Sequence, residues 1–244
     1  MIEIKDLQKC FGEKKAVDVS EYIIRQGDLL GLVGNNGAGK TTLFRLMLDL
    51  LKADGGKVTY RFEDPQGEDG QELTVNPAES EAWKAHVGSY IDEGFLIDFL
   101  TPEEYFAFIG KVSGMNAEET EQRIADFETF MAGEIVGHKK LIRNLSAGNK
   151  QKVGIVAAMF NKPQVLILDE PFNFLDPSSQ NILKQILVNF NRENGSTILV
   201  SSHNLAHTVD ICPRIALMEN GSIIRDLDNK DGQAQEDLQD YFKA

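Results

Sequence analysis

The sequence predicts an α/β fold with a mostly parallel sheet, and three observations carry that prediction. An apolar run, Leu29 to Val33, leads through a glycine-rich loop into a helical pattern, Thr42 to Leu51, which is the order of a strand–turn–helix unit. A second run, Val165-Leu166-Ile167-Leu168, is apolar at every position, as expected of a strand buried on both faces of a parallel sheet. A third strand-like run, Thr197-Ile198-Leu199-Val200, follows it. At 244 residues, 42% hydrophobic and 26% charged, the chain is long enough to bury a full core. One domain over residues 1–244 is expected.

Taken in order, Met1-Ile2-Glu3-Ile4-Lys5 opens with strand alternation and lacks the basic and apolar regions of a signal peptide. The longest apolar stretches fall far short of the roughly 18 residues a membrane span needs. A cytoplasmic location is expected. Cys10 and Cys212 are too few and too far apart in sequence for a disulfide framework or a metal cage, and both read as small buried hydrophobes.

The loop Gly34-Asn35-Asn36-Gly37-Ala38-Gly39-Lys40-Thr41, followed by Thr42, fits G-x-x-x-x-G-K-[ST] between strand and helix. Gly34, Gly37 and Gly39 let the backbone approach phosphate oxygens, Lys40 reaches the β- and γ-phosphates, and the Thr41 hydroxyl ligates Mg²⁺. The stretch from Arg61 to Ala82 carries seven carboxylates among Pro65, Gly67 and Gly70 and reads as a solvated loop, as does the tail from Asp226 onward. The net charge of −13 argues against a nucleic-acid partner, whose phosphates must be met by Lys and Arg.

Thr101 caps a helical region with Pro102 at its first position, extending to about Phe160. Leu145 to Lys152 is a short polar turn running into a helical stretch, Val153 to Phe160. Ser146 and Gly148 at that start expose backbone N–H groups and a positive dipole end, an anion site. Asp169 and Glu170 close the 165–168 run, where open α/β sheets bind ligands. Alternation along the strand sends their side chains to opposite sides, which would let one address Mg²⁺ and the other an attacking water. Asn173-Phe174-Leu175-Asp176 and Ser201-Ser202-His203 follow, then Asn220-Gly221 as a hairpin turn.

In this succession the motifs resemble the nucleotide-binding subunit of an ATP-binding cassette (ABC) transporter, over about Ile2 to Arg225. The resemblance implies a P-loop NTPase core with a mostly parallel sheet, an antiparallel β subdomain and a helical subdomain at about 95–160. It implies ATP and Mg²⁺ as cofactors and ATP hydrolysis coupled to transport. Phe11 corresponds to the aromatic that stacks on adenine, Asp169 to the magnesium-associated aspartate and Glu170 to the general base. Asp176 corresponds to the aspartate that links two subunits, and His203 to the histidine at the γ-phosphate. Ser146 and Gly148 belong to the signature turn, which binds ATP held by a second nucleotide-binding subunit, identical or related. Separate membrane permease subunits complete the partners, placing the chain on the inner face of the cell membrane.

The chain departs from the family pattern at Asn149, usually Gln, and Ala147, often Gly. The family's glutamine after the 87–91 segment is a carboxylate here; the register allows Asp92 or Glu93, and Asp92 is taken as the further Mg²⁺ ligand. The Leu-Thr-Pro-Glu-Glu-Tyr phrase at 100–105 looks exporter-like. After Asn220-Gly221 too few residues remain for the regulatory domain of some importer cassettes. A GTP switch is disfavoured, since Asn229-Lys230-Asp231-Gly232 fails the guanine-reading pattern. A catalytically silent subunit conflicts with the intact Lys40, Asp169, Glu170 and His203. An iron-sulfur assembly ATPase is the remaining alternative.

Overall fold

The computed structural model describes residues 1–63, 72–230, 232 and 234–242. Two sheets carry the fold. Strands β1 (Ile2–Phe11), β2 (Lys14–Ile24), β4 (Gly55–Glu63) and β5 (Glu72–Val75) pair antiparallel in the order β2-β1-β4-β5. The second sheet has the order β10-β9-β3-β8-β7-β6, built from β3 (Leu29–Val33), β6 (Val87–Tyr90), β7 (Val165–Leu168), β8 (Thr197–Ser202), β9 (Arg214–Glu219) and β10 (Ser222–Asp228). Its strands run parallel except for β10, which returns from β9 through Asn220-Gly221. Both turn residues have positive φ, 48° and 85°, the geometry of a two-residue hairpin whose twist matches its strands.

Alternation along the central strands divides the interior. Leu30, Leu32, Val165, Ile167 and Leu199 pack with the antiparallel sheet and with α1 (Lys40–Met47), whose Phe44 and Met47 are fully buried. Leu166, Leu168, Ile198 and Val200 face the opposite way, as neighbours on a pleated strand must. There they meet α2 (Pro102–Val112), α3 (Ala117–Ala125), α4 (Glu128–Met131), α5 (Ala147–Met159) and α6 (Pro177–Asn194). Phe106 of α2 stacks on Phe160 just past α5, with ring centroids 5.6 Å apart, which fixes this helical region to itself.

The helical region begins where the sequence placed it. Thr101 Oγ1 accepts from the Glu104 amide at 3.3 Å, and Glu104 Oε2 accepts from the Thr101 amide at 2.8 Å, a reciprocal capping box. Four local expectations are corrected. Helix α1 starts at Lys40 and stops at Met47, because Asp49 turns left-handed at φ 52°. The stretch 61–82 is in part sheet, with Arg61, Phe62 and Glu63 paired to Thr74, Leu73 and Glu72; its residues 64–71 lie outside the described residues. Cys10 is exposed while Cys212 is buried, because β1 slips register between Lys9 and Cys10 near its end. The tail is not all loop: after β10, helix α8 (Ala234–Phe242) buries Ala234 and Leu238 near α7 (Leu205–Val209).

Candidate functional site

Strands β3, β8, β7 and β6 end at one edge of the parallel sheet, and each end carries predicted site residues: Gly34, His203, Asp169 and Asp92. The glycine loop leaves β3 with almost no clearance. A Cβ on Gly34 would lie 2.2 Å from Met218 O, and one on Gly39 2.3 Å from Ala16 O, so only glycine fits either place. Asn35, Asn36 and Gly37 are exposed, Ala38 is buried and Thr42 is half-buried on α1. Gly39, at φ 112°, is the N-cap of α1, so that helix aims its free amides at the loop.

Lys40 is 6% exposed. Its Nζ donates to Gly34 O at 2.7 Å and stands 3.6 Å from Glu170 Oε1. The charge is thereby held over the loop, where an anion is to be met. Thr41 Oγ1 donates to Asp169 Oδ2 at 2.5 Å, and Asp169 Oδ1 accepts from Ser201 Oγ. Burial pushes the Asp169 carboxyl above its ordinary range, against the opposing pull of the Ser201 and Thr41 hydroxyls. A buried carboxylate beside a hydroxyl oxygen is a hard-oxygen pair suited to a small divalent cation completed by phosphate and water. The residues present therefore fit Mg²⁺.

Glu170 faces the loop differently from the expectation. It lies beyond the end of β7 with φ 47°, so a left-handed turn, not strand alternation, separates its side chain from that of Asp169. Its amide donates to Ser201 Oγ at 2.9 Å and its carbonyl accepts from Gln151 Nε2 at 3.1 Å. Oε2 meets His203 Nδ1 at 2.8 Å. Glu170 thus bridges Lys40 and His203, which brings together three elements distant in sequence.

Phe11 is 54% exposed at the end of β1. It pairs with Lys14, whose Nζ lies 3.9 Å from the Cβ position of Gly37, so the hairpin end reaches the glycine loop; the Lys9 ammonium stands over the Phe11 ring, 5.8 Å from its centroid. Asp92 Oδ1 accepts from the Gly94 amide at 2.8 Å, while Oδ2 pairs with Arg45 Nη2 of α1 at 3.1 Å. Glu93 pairs instead with Lys150 of α5 at 3.1 Å. Both acids line a cavity of about 170 Å³ shared with Asp169 and Glu170.

The polar turn is itself the first turn of α5, which corrects the later start expected at Val153. Ser146 is the N-cap, its Oγ accepting from the Asn149 amide at 3.2 Å. Asp176 is also an N-cap, accepting from the amides of Ser178 and Ser179 and from Ser179 Oγ at 2.6 Å. The Ser179 hydroxyl bond holds its carboxyl below the usual range. Sequence reasoning missed Ser201, Gln151 and Arg45. Only strand register could have found Ser201: Leu168 opposes Val200, so one step on Asp169 meets Ser201.

A glycine loop cradling a lysine, a hydroxyl–carboxylate pair and a second acid at the strand ends define a P-loop nucleoside-triphosphatase. The family model described as ABC transporter matches residues 17–173; a second, described as an AAA domain of the AbiEii toxin kind, matches the shorter stretch 137–210. An uncharacterized ABC transporter ATP-binding protein of Synechocystis is 34% identical over 82% of this chain and 53% of its own length. The bacitracin transport ATP-binding protein BcrA of Bacillus licheniformis is 29% identical over 93% of this chain and 69% of its own. The methionine import ATP-binding protein MetN of Geobacillus kaustophilus is 33% identical over 92% and 64%. This chain thus spans about half to two thirds of the length of these relatives. Among solved structures, a dimeric bacterial ABC transporter cassette superimposes with TM-score 0.79 at 23% identity, covering 94% of this chain and 99% of that one. The chain belongs to the ABC transporter family as one of its ATP-binding, ATP-hydrolysing cassettes.

Proposed function

We propose that this chain is the energy-coupling subunit of a transporter, hydrolysing ATP at sites shared between two cassettes. The observation that carries the reading is a second anion-type helix start beside the first: the N-terminus of α5, capped by Ser146, borders the cavity that Ala147 shares with Asp169 and Glu170, while the glycine loop and the N-terminus of α1 already meet the triphosphate at Lys40. The N-terminus of α5 is thereby assigned to a triphosphate held by another chain. A second cassette, packed head to tail, brings its own Ser146 turn to the triphosphate at this Lys40.

Within the site, the loop amides and Lys40 hold the phosphates, and Phe11 offers an exposed ring for the base. Thr41 and Asp169 would hold Mg²⁺, with Asp92 able to supply a further oxygen. When bound, the ion neutralises charge developing on the phosphates. Glu170 orients a water and takes its proton, held in place through Gln151 and Ser201. His203, against Glu170 at 2.8 Å, is placed to donate toward the terminal phosphate.

No described helix is long and apolar enough to cross a membrane; the partner proposed for transport is a membrane permease subunit, reached from the inner face of the membrane. A groove of about 260 Å³ lined by Leu50, Phe95, Leu96, Tyr105 and Ile109 supports docking of an apolar permease segment, with Phe95 53% exposed. The relatives named for transport favour this over iron-sulfur assembly. They include both an importer and a bacitracin transporter; export rests on the phrase at 100–105 and is proposed on that ground. The test is Glu170→Gln with ATP and Mg²⁺, read by sedimentation. A stable ATP-bound dimer without turnover is expected. Unchanged turnover, or a protein that stays monomeric, would refute the reading.

A further inference from the structure

His203 needs a fixed place if it is to donate toward the terminal phosphate, yet its own holds are few. It lies just past the end of β8 with its side chain 44% exposed, and among the described residues the hydrogen-bond partner of its ring is Glu170 Oε2 at 2.8 Å. A half-exposed imidazole on one hydrogen bond keeps rotamer freedom. Proton donation in a transition state needs placement well inside about 1 Å.

The segment that follows carries the missing support. Ser202 Oγ donates to Asn204 O at 2.9 Å and accepts from the Asn204 amide at 3.0 Å, which closes a tight turn around His203. Asn204 Oδ1 accepts from the Ala206 amide at 3.1 Å and so caps α7. Four residues after His203, His207 lays its ring on that of Phe172, with centroids 4.8 Å apart and planes inclined by 28°. Phe172 follows Glu170 by two residues and is 3% exposed. Two ties therefore run side by side between the same two segments: Glu170 to His203, polar and half-exposed, and Phe172 to His207, apolar and rooted in the core.

The His207 ring is held by that stack more than by hydrogen bonds. Its Nδ1 is buried with no hydrogen-bond partner among the described residues, and Nε2 meets Asn204 Nδ2 at 3.4 Å, a long contact. Burial, aided by Lys184, holds the imidazole below its ordinary range, so the ring is neutral at pH 7. The far end of α7 is fixed as well: Thr208 is fully buried, and Lys184 of α6 pairs with Asp210 at 2.6 Å.

We propose that His207 is a positioning residue for ATP hydrolysis: its stack on Phe172 holds His203 in register with Glu170. This rests on the roles given above to His203 and Glu170.

The test uses the full chain with ATP and Mg²⁺. It compares His207→Ala, which removes the ring, with His207→Phe, which keeps a ring and removes the orphaned nitrogen, an atom whose burial costs stability. Steady-state kinetics and nucleotide-free melting temperatures are read for both. His207→Ala is expected to have a kcat about tenfold lower, with KM for ATP within about twofold of the parent. His207→Phe is expected to keep kcat within about twofold of the parent and to melt no lower. A role in folding alone would leave kcat per folded molecule at the parent value in both variants. That result would overturn the proposal, as would a His207→Phe protein as slow as His207→Ala, or a rise in KM at constant kcat. A His203→Ala control that turns over like the parent would show instead that the role of His203 is wrong, and the role of His207 would fall with it.

Discussion

Replacing Asp92 with Asn removes one charge from the site while leaving an oxygen to accept from the Gly94 amide at 2.8 Å. The ion pair with Arg45 is lost, but its side chains are 43% and 45% exposed, so the cost to folding is at most about 1 kcal/mol, or about 2–4 °C in Tm. The effect at the site is larger. A cavity of about 170 Å³ corresponds to a sphere about 7 Å across, over which a unit pair of charges at an effective dielectric of 20 is worth about 2 kcal/mol. Half exposure of Asp92 cuts this to about 1 kcal/mol, hence about 2 kcal/mol toward a divalent cation and roughly thirtyfold in its binding. Hydrolysis at saturating ATP, titrated with Mg²⁺, should show that rise in half-saturating Mg²⁺, while ATP affinity in chelator stays the same or tightens. A shift in Mg²⁺ dependence below twofold would refute the reasoning, as would an equal loss of Mg²⁺-free ATP affinity.

Asp169 gives a pH-dependent expectation. Burial holds its carboxyl above the ordinary 3.8, so the folded state binds that proton more tightly than the unfolded one, and the group's contribution to stability falls as pH rises from 3.8 through the raised value. In nucleotide-free protein the melting temperature of Asp169→Asn minus that of the parent should therefore increase across this window and level off above it; a difference independent of pH contradicts the burial argument. Thr101→Ala removes the hydroxyl half of the α2 capping box and should cost about 1 kcal/mol, a fall of about 2–4 °C in Tm. Its ATP affinity should match the parent's, and a loss of nucleotide binding would show that α2 is coupled to the glycine loop.

Local chemistry was legible in the sequence. The glycine loop, the Thr101 box and the Asn220-Gly221 hairpin are each specified by residues a few positions apart, and each forms as read. The sheet order β10-β9-β3-β8-β7-β6 was not, because pairing between strands more than a hundred residues apart leaves no local mark. The partners that hold the site were hidden for the same reason: Ser201 under Asp169 and Glu170, Gln151 on the Glu170 carbonyl, and Arg45 on Asp92. Glu170 was assigned the right end of the right strand by a wrong geometry, since its left-handed turn is imposed by tertiary contacts. Cys10 misled because small apolar residues are usually buried, while here the strand outruns its regular register.

A shared site requires each ATP to be held by two chains. Two variants in the Glu170→Gln background test it: Lys40→Ala, which disables the glycine loop, and Ser146→Arg, which blocks the N-terminus of α5. Each alone leaves every shared site with one defective half. Mixed together, they place both defects in one site and leave the other intact. The measurement is ATP retained per dimer after gel filtration of differently tagged chains. No retained ATP is expected for either variant alone, and one ATP per mixed dimer. Equal retention by the Ser146→Arg protein alone, or none in the mixture, would contradict it.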